Sequence, residues 1–439
     1  MDEASDIAHS KESVEEWQSL VHVCQRWRSI VFGSPRRLNL RLGCTPKTPV
    51  RDLLDIWPAL PLFVWGDTNH PSESVDNIAA VLERRDRVRH IYLPSPYLVK
   101  FSATMQVPFP ELTVLELRSN GEWMPILPDS FLGESAPHLQ SLMLNGIPFP
   151  ALPKLLLSAT HLTFLRLYGI PHSGYFPPQA MAAALSSLTS LEFLLLRFQS
   201  SSLPDWTSRC RPPPTRSVLP FLTHFYFKGV SEYLDDIVAG IDTPRLNHLS
   251  VSILNQIEFD TPQLIQLIGR TPAFEAFKRA RLFFENDQAR IELFSQTPGS
   301  GVLNVDILCS VTGWFISLGV CTSCLPLSML EDLYISESRY SHLHQPDNAE
   351  NSLWLDLLHP FTSVMNLYLS RRVAPRISLA LQELVGARTV EVLPTLQNIF
   401  LEEFPPPGHV QEGIGQFVAT RQGAGHPISV SRWENRSRF

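Results

Sequence analysis

The chain has 439 residues, 44% hydrophobic, 18% charged and 10% aromatic, with a formal net charge of −7 and a pI near 6.1. This length and apolar content suffice for one large or two to three ordinary domains, and the composition argues against disorder. The acidic balance argues against nucleic acid as the main partner, and six cysteines are too few for a disulfide scaffold.

The first predicted element is a helix in "LVHVCQRWRSIVF", residues 20–32. Val23, Trp27 and Ile30 stand at i, i+4 and i+7, which places them on one helix face, and Cys24 and Val31 flank that stripe. Basic clusters follow (Arg26, Arg28, Arg36, Arg37 and Arg41, then Arg84, Arg85, Arg87 and Arg89), and they read as solvated faces. No signal-peptide core and no run of about 18 apolar residues occurs, so the expectation is an intracellular protein, cytoplasmic or nuclear, with no membrane partner.

From residue 88 one pattern keeps returning: apolar, two others, apolar, one other, apolar. It reads "RVRHIYL" (Val88, Ile91, Leu93), "ELTVLEL" (Leu112, Leu115, Leu117), "HLQSLML" (Leu139, Leu142, Leu144), "HLTFLRL" (Leu162, Leu165, Leu167) and "SLEFLLL" (Leu191, Leu194, Leu196). It continues as "FLTHFYF" (Leu222, Phe225, Phe227), "RLNHLSV" (Leu246, Leu249, Val251), "MLEDLYI" (Leu330, Leu333, Ile335), "SVMNLYL" (Val364, Leu367, Leu369) and "TLQNIFL" (Leu396, Ile399, Leu401). Successive first positions lie 24, 27, 23, 29, 31 and 24 residues apart up to Leu246, and the last two steps are 34 and 32. The final two apolar positions of each copy alternate, which predicts a short strand with one face buried. Helical segments such as "PPQAMAAALSSL", "SEYLDDIVAGI", "TPQLIQLIG" and "SLWLDLLHPF" lie between copies, with starts at Ser231 and at Thr261-Pro262. A strand plus a helix of this length buries its leucines only by stacking on its neighbours. A doubly wound sheet is the alternative that strand–helix alternation leaves open.

The 84 residues from Leu246 to Leu330 leave room for about three further units, with "AFEAFKRARLFF" and "VLNVDIL" as degenerate strands. Two polar insertions, "SSSLPDWTSRCRPPPTRS" and "SESRYSHLHQPDNAEN", each follow a strand. Cys321 and Cys324 in "CTSC" have metal-ligand spacing, but no second pair accompanies them; Cys309 and His342 are distant, and the expectation is inert thiols and no metal. No GxSxG, Walker A, GxGxxG or HExxH motif occurs, so no catalytic or cofactor-binding residue is expected. Residues 411–439 carry no repeat and read as a loose tail.

The recurring leucine spacing resembles a leucine-rich-repeat solenoid. The implied fold is α/β, a horseshoe over residues 46–410, its repeats clearest from about 85 to 405. The family's asparagine after the last leucine appears once, as Asn120, which implies an irregular array. The segment before it, "LVHVCQRWRSIVFGSPRRLNLRL", resembles the second half of an F-box, the helical module that docks on the Skp adaptor of cullin–RING ubiquitin ligases. The matching positions are Leu20, Val23, Cys24, Trp27, Ile30 and Phe32, within a partial module over residues 1–45. The continuation through "CTPKTPVRDLLDIWPALPL" is similar to F-box and repeat proteins abundant in mushroom-forming fungi. An F-box opens with a Leu-Pro pair and a first helix ending in an Ile-Phe-like pair, and residues 1–20 carry neither.

The resemblance implies a non-catalytic substrate-recognition subunit, with the Skp adaptor and through it a cullin as partners, and a protein target on the concave repeat face. Residues between the leucines form that face: Phe164, Arg166, Tyr168, Phe193, Arg197, Tyr226, Lys228, Tyr334, Tyr368 and Phe400. Aromatic and arginine side chains dominate binding hot spots. The alternative expectation is a leucine-rich scaffold that does not bind the adaptor.

Overall fold

The computed structural model describes residues 21–33, 41–45, 50–56, 59–66, 75–119, 126–200, 216–254, 261–275, 277–285, 288–295, 301–308, 325–338, 348–384, 386–402 and 409–433. The chain is α/β and divides into two compact units, residues 1–199 and 200–439.

The first unit begins with α1 (Gln25–Gly33) and continues β1 (Leu42–Cys44), α2 (Val50–Ile56), β2 (Leu62–Trp65), α3 (Val75–Leu82), β3 (Val88–Pro94) and α4 (Ser95–Phe101). It is completed by β4 (Val114–Arg118), β5 (Ser141–Asn145), α5 (Leu152–Leu156), β6 (Phe164–Ile170), α6 (Pro178–Ser187) and β7 (Phe193–Phe198). Strands β1 to β7 are all parallel and lie in strict chain order. A doubly wound sheet reverses its order at a switch point; this one does not. Helices of successive turns touch one another, α2 with α3 and α5 with α6, so they line one side of the sheet. The sheet starts at Leu42, earlier than the clear leucine pattern indicates, because β1 and β2 are too short to show more than two alternations.

The expected leucines form ladders across the strands. Leu115, Leu142, Leu165 and Leu194 are in register on β4 to β7, and Leu117, Leu144, Leu167 and Leu196 form the next rung. All are buried against the helices. A backbone device holds the register. The Thr113 carbonyl accepts the N–H groups of both Gln140 (2.8 Å) and Ser141 (3.1 Å); the Gln140 carbonyl accepts those of Thr163 and Phe164, and the Thr163 carbonyl those of Glu192 and Phe193. One carbonyl per turn thus satisfies two donors of the next turn, and a one-residue slip would break both bonds and turn the leucines outward.

The second unit contains β8 (Ser217–Val218), β9 (His224–Gly229), α7 (Ser231–Ala239), β10 (Ile241–Asp242), β11 (His248–Leu254) and α8 (Pro262–Arg270). Then follow β12 (Phe277–Glu285), β13 (Gln288–Ser295), β14 (Val302–Leu308), β15 (Asp332–Glu337), α9 (Asn348–Leu358), β16 (Asn366–Leu369), α10 (Ala374–Gln382), β17 (Asn398–Leu401), α11 (His409–Gly423) and β18 (Ser429–Arg432). The short β8 and β10 pair with each other. The others run in the order β9-β11-β14-β13-β12-β15-β16-β17-β18.

That order corrects two expectations. The stretch after Leu246 does not hold three further repeats. It folds as a meander in which β13 is antiparallel to both β12 and β14, and β14, not β12, is the neighbour of β11. The alternation of "KRARLFFE", "QARIELFS" and "VLNVDIL" gives each strand one apolar face but carries no information on strand direction. The segment expected as a loose tail is ordered through Trp433: α11 packs on α10, and β18 extends the sheet in parallel with β17.

Helix α8 starts at Pro262, as "TP" predicts, but Thr261 makes no capping bond. The Asp235 carboxylate on α7 accepts the N–H groups of Gln263 (2.8 Å) and Leu264 (3.1 Å), so one repeat caps the helix of the next.

Candidate functional site

Two groups of side chains are left uncovered by this packing. The first is on α1 and the turn before it. Val21 and Val31 are buried and fix the segment to the first unit, while Val23, Trp27 and Ile30 are 64%, 47% and 56% exposed. Cys24 is exposed and Phe32 partly so. Val23 and Cys24 precede the helix, which begins at Gln25; the Cys24 carbonyl accepts the Arg28 N–H at 3.1 Å, and Arg28 Nε donates to the Val21 carbonyl at 3.1 Å. Trp27 and Ile30 are thus exposed on the helix and Val23 on the turn before it, so the three do not form the single helical stripe expected. Leu20 lies outside the described residues.

The second group is the sheet face opposite the helices. In the first unit every expected residue is on it. Phe164 is in register with Phe193, their rings 6.4 Å apart, and the Arg166 guanidinium stands over both, at 5.3 and 5.1 Å. Arg197 lies 5.9 Å from the Tyr168 ring. The face extends to residues that sequence reading passed over. Phe63, Trp65 and His90 form a triangle of rings with centroids 5.5 to 5.9 Å apart, with Arg41 over Phe63 at 5.0 Å and Arg118 over Tyr92 at 5.4 Å. Burial, and then the Arg41 charge, push the His90 imidazole down to about 4. The signal for these residues is the alternation in "LFVW" and in "RVRHIYL", the weakest copy.

In the second unit Tyr226 and Lys228 lie on β9, where Tyr226 packs on His248 at 4.9 Å and His224 stacks on His248 at 5.6 Å. Burial, then the neighbouring His224, lower the His248 pKa. Tyr334, Tyr368 and Phe400 form a continuous stack across β15, β16 and β17, with centroids 4.1 and 4.5 Å apart. The Trp433 ring meets Tyr334 and Tyr368 edge-on at 5.8 and 5.6 Å, and burial raises the Tyr368 hydroxyl pKa. An amide ladder runs beside this stack: Asn398 Nδ2 donates to Asn366 Oδ1 and Asn366 Nδ2 to Asp332 Oδ1, both at 2.8 Å. The meander is salt-bridged internally, Arg290 to Asp306 and Arg281 to Glu292 (3.3 Å), and Arg279 on β12 pairs with Asp332 on β15 (3.8 Å).

Among the described residues no group of three His, Cys, Asp or Glu side chains is arranged to hold a metal ion, and no helix is long and apolar enough to cross a membrane. Cys309, Cys321, Cys324 and His342 lie outside the described residues, as do residues 201–215 and 339–347 of the two polar insertions. No protein-family model matches the chain, and no curated protein matches it.

Proposed function

We propose that the protein is a non-catalytic substrate-recognition subunit of an SCF-type cullin–RING ubiquitin ligase, a leucine-rich-repeat solenoid behind a partial F-box. The segment around α1 docks on the Skp adaptor, and an open sheet face holds the target for ubiquitin transfer by other subunits.

The observation that carries this reading is the exposure of Val23, Trp27 and Ile30. Scattered exposed apolar residues are ordinary, but three within eight residues, one of them a tryptophan, between the buried Val21 and Val31 have the composition of an interface core. The aromatic and arginine content of the sheet faces supports target binding in the same way. The second reading is a leucine-rich scaffold that binds its partner on the open sheet faces without the adaptor.

The test is capture of purified Skp adaptor by the intact chain and by the Val23→Ala, Trp27→Ala double variant. Both side chains are exposed, so the variant keeps its fold. The proposal expects capture by the intact chain and its loss in the variant. Failure of the intact chain to capture the adaptor would transfer the assignment to the scaffold.

A further inference from the structure

Among the described residues β18 is the last strand of its sheet, and it is paired along one edge only. Its backbone runs in parallel with β17, and the N–H groups of Ser429 and Trp433 donate to the carbonyls of Gln397 (2.9 Å) and Leu401 (2.7 Å). Ser429, Val430 and Arg432 are exposed, so little side-chain burial retains the strand. The apolar side chains that hold it are Ile428, buried at its entry, and Trp433, whose ring meets Tyr334 and Tyr368 edge-on. Residues 422–427 ahead of it are all exposed, and a side chain added at Gly423 or Gly425 would meet no neighbour within 4 Å. Helix α11 is anchored separately, through the four carbonyls that Arg421 holds. Release of β18 therefore leaves α11 in place and uncovers the edge of β17 and the Tyr334 and Tyr368 rings.

We propose that β18 and Trp433 are the resident, displaceable occupant of a docking site, and that this site takes an extended segment of the target bearing an aromatic residue. The segment adds to the edge of β17 in place of β18 and seats its aromatic side chain where Trp433 lies. This specifies how the open face of the second unit holds a target, so it rests on the reading of that face as a target site and not on adaptor binding. The chemistry of the occupant is argued from what sits there. An uncovered strand edge offers unpaired backbone groups to an extended chain, and aromatic rings favour the edge-on geometry that Trp433 adopts. The resident strand also leaves part of the site unused. The residue in register beside Phe400 is the small Ser431, so the stack of rings ends there. A strand with an aromatic residue at that position would continue the stack at the strand spacing of about 4.8 Å.

A second copy of this chain would offer the same strand again, with no contact that the resident lacks. Exchange between copies competes with a tethered strand whose effective concentration is in the ~mM range, and it loses at lower protein concentrations.

The probe is a fluorescent peptide of residues 426–433, HPISVSRW, titrated by anisotropy into the full chain beside its Trp433→Ala form. Three proteins are compared: wild type, Trp433→Ala, and an Asn398→Cys, Ser429→Cys variant whose paired positions lock β18 to β17 when oxidised. The Trp433→Ala protein should bind HPISVSRW about tenfold more tightly than wild type, because apparent affinity scales with the fraction of protein whose edge is open. The alanine peptide should bind about tenfold more weakly than HPISVSRW, and a Ser431→Phe peptide more tightly. The locked protein should bind only after reduction. In wild type the Ser429 and Trp433 amides should exchange hydrogen on the order of 100-fold faster than that of Asn398.

Equal binding by the oxidised and reduced lock variant would put the target elsewhere on the face, overturning this proposal and leaving the target reading in place. Equal affinity for the tryptophan and alanine peptides would overturn it too, as would absence of binding to the Trp433→Ala protein. Wild-type dimers at micromolar concentration that the lock abolishes would assign the edge to a second copy instead. Failure of wild type to capture the Skp adaptor, with peptide exchange intact, would remove the ligase reading and leave this one standing.

Discussion

Arg421 ties a helix to a turn through one buried side chain. It is fully buried, and its Nη1 donates to the carbonyl of Thr389 (3.1 Å), while Nη2 reaches those of Leu393 (3.2 Å), Pro394 (3.2 Å) and Leu396 (3.4 Å). Burial lowers its pKa from the usual arginine value. Leu393 adopts φ 50°, in the left-handed region, and its carbonyl is one that Arg421 holds. The guanidinium thus ties α11 to the strained turn that leads into β17. Replacing it with methionine keeps most of the volume but leaves several buried carbonyls without donors, an expected loss on the order of 3 kcal/mol in a denaturant titration. His90 makes a second residue-scale prediction. Its pKa falls from 6.5 to about 4 on folding, so the unfolded chain binds the proton more readily and stability declines as pH drops from about 6.5 toward 4. His90→Asn should flatten that decline, measured by chemical unfolding between pH 7 and pH 5. An unchanged slope would show that folding does not lower the imidazole's pKa.

At the scale of elements, the repeats are joined by polar devices as well as by leucines. Asp235 is the clearest case, because it serves a helix in the next turn. Asp235→Ala should cost about 1 kcal/mol and raise hydrogen exchange at Gln263 and Leu264 more than in α7 itself. Equal protection in variant and parent would remove the cap from the account. The leucine ladders were legible because a spacing that recurs many times is hard to produce otherwise, and "TP" marked the start of α8 correctly. Three features were not legible, each for a physical reason. The meander hides because period-2 alternation is the same for parallel and antiparallel strands. The repeated turn extends three residues upstream of the visible pattern, where Phe109, Ala136, Ala159, Leu188, Leu219 and Leu393 accept bonds from the first leucines of their copies at 3.0 to 3.4 Å. Their varied side chains conceal a constant backbone. The C-terminal segment reads as a tail because "ISVSR" exposes both faces of an edge strand, so no alternation marks it.

For the whole molecule, the sequence identified the residues of the candidate surfaces better than their use. An apolar stripe on a helix looks the same whether it faces a core or a partner, and only packing separates Val21 and Val31, which are buried, from Val23, Trp27 and Ile30, which are not. The pairing of Glu292 and Asp306 with Arg281 and Arg290 is equally invisible in a linear reading, because it forms only through the meander. The molecule is thus two units, the first with parallel strands throughout and the second interrupted by an antiparallel meander. The measurement that tests its role as a receptor most directly is size-exclusion chromatography with light scattering of the chain mixed with Skp adaptor and cullin. A single species containing one copy of each is the expected result, lost with Val23→Ala and Trp27→Ala. Elution of the chain as a separate species, with the adaptor–cullin pair unchanged, would contradict it.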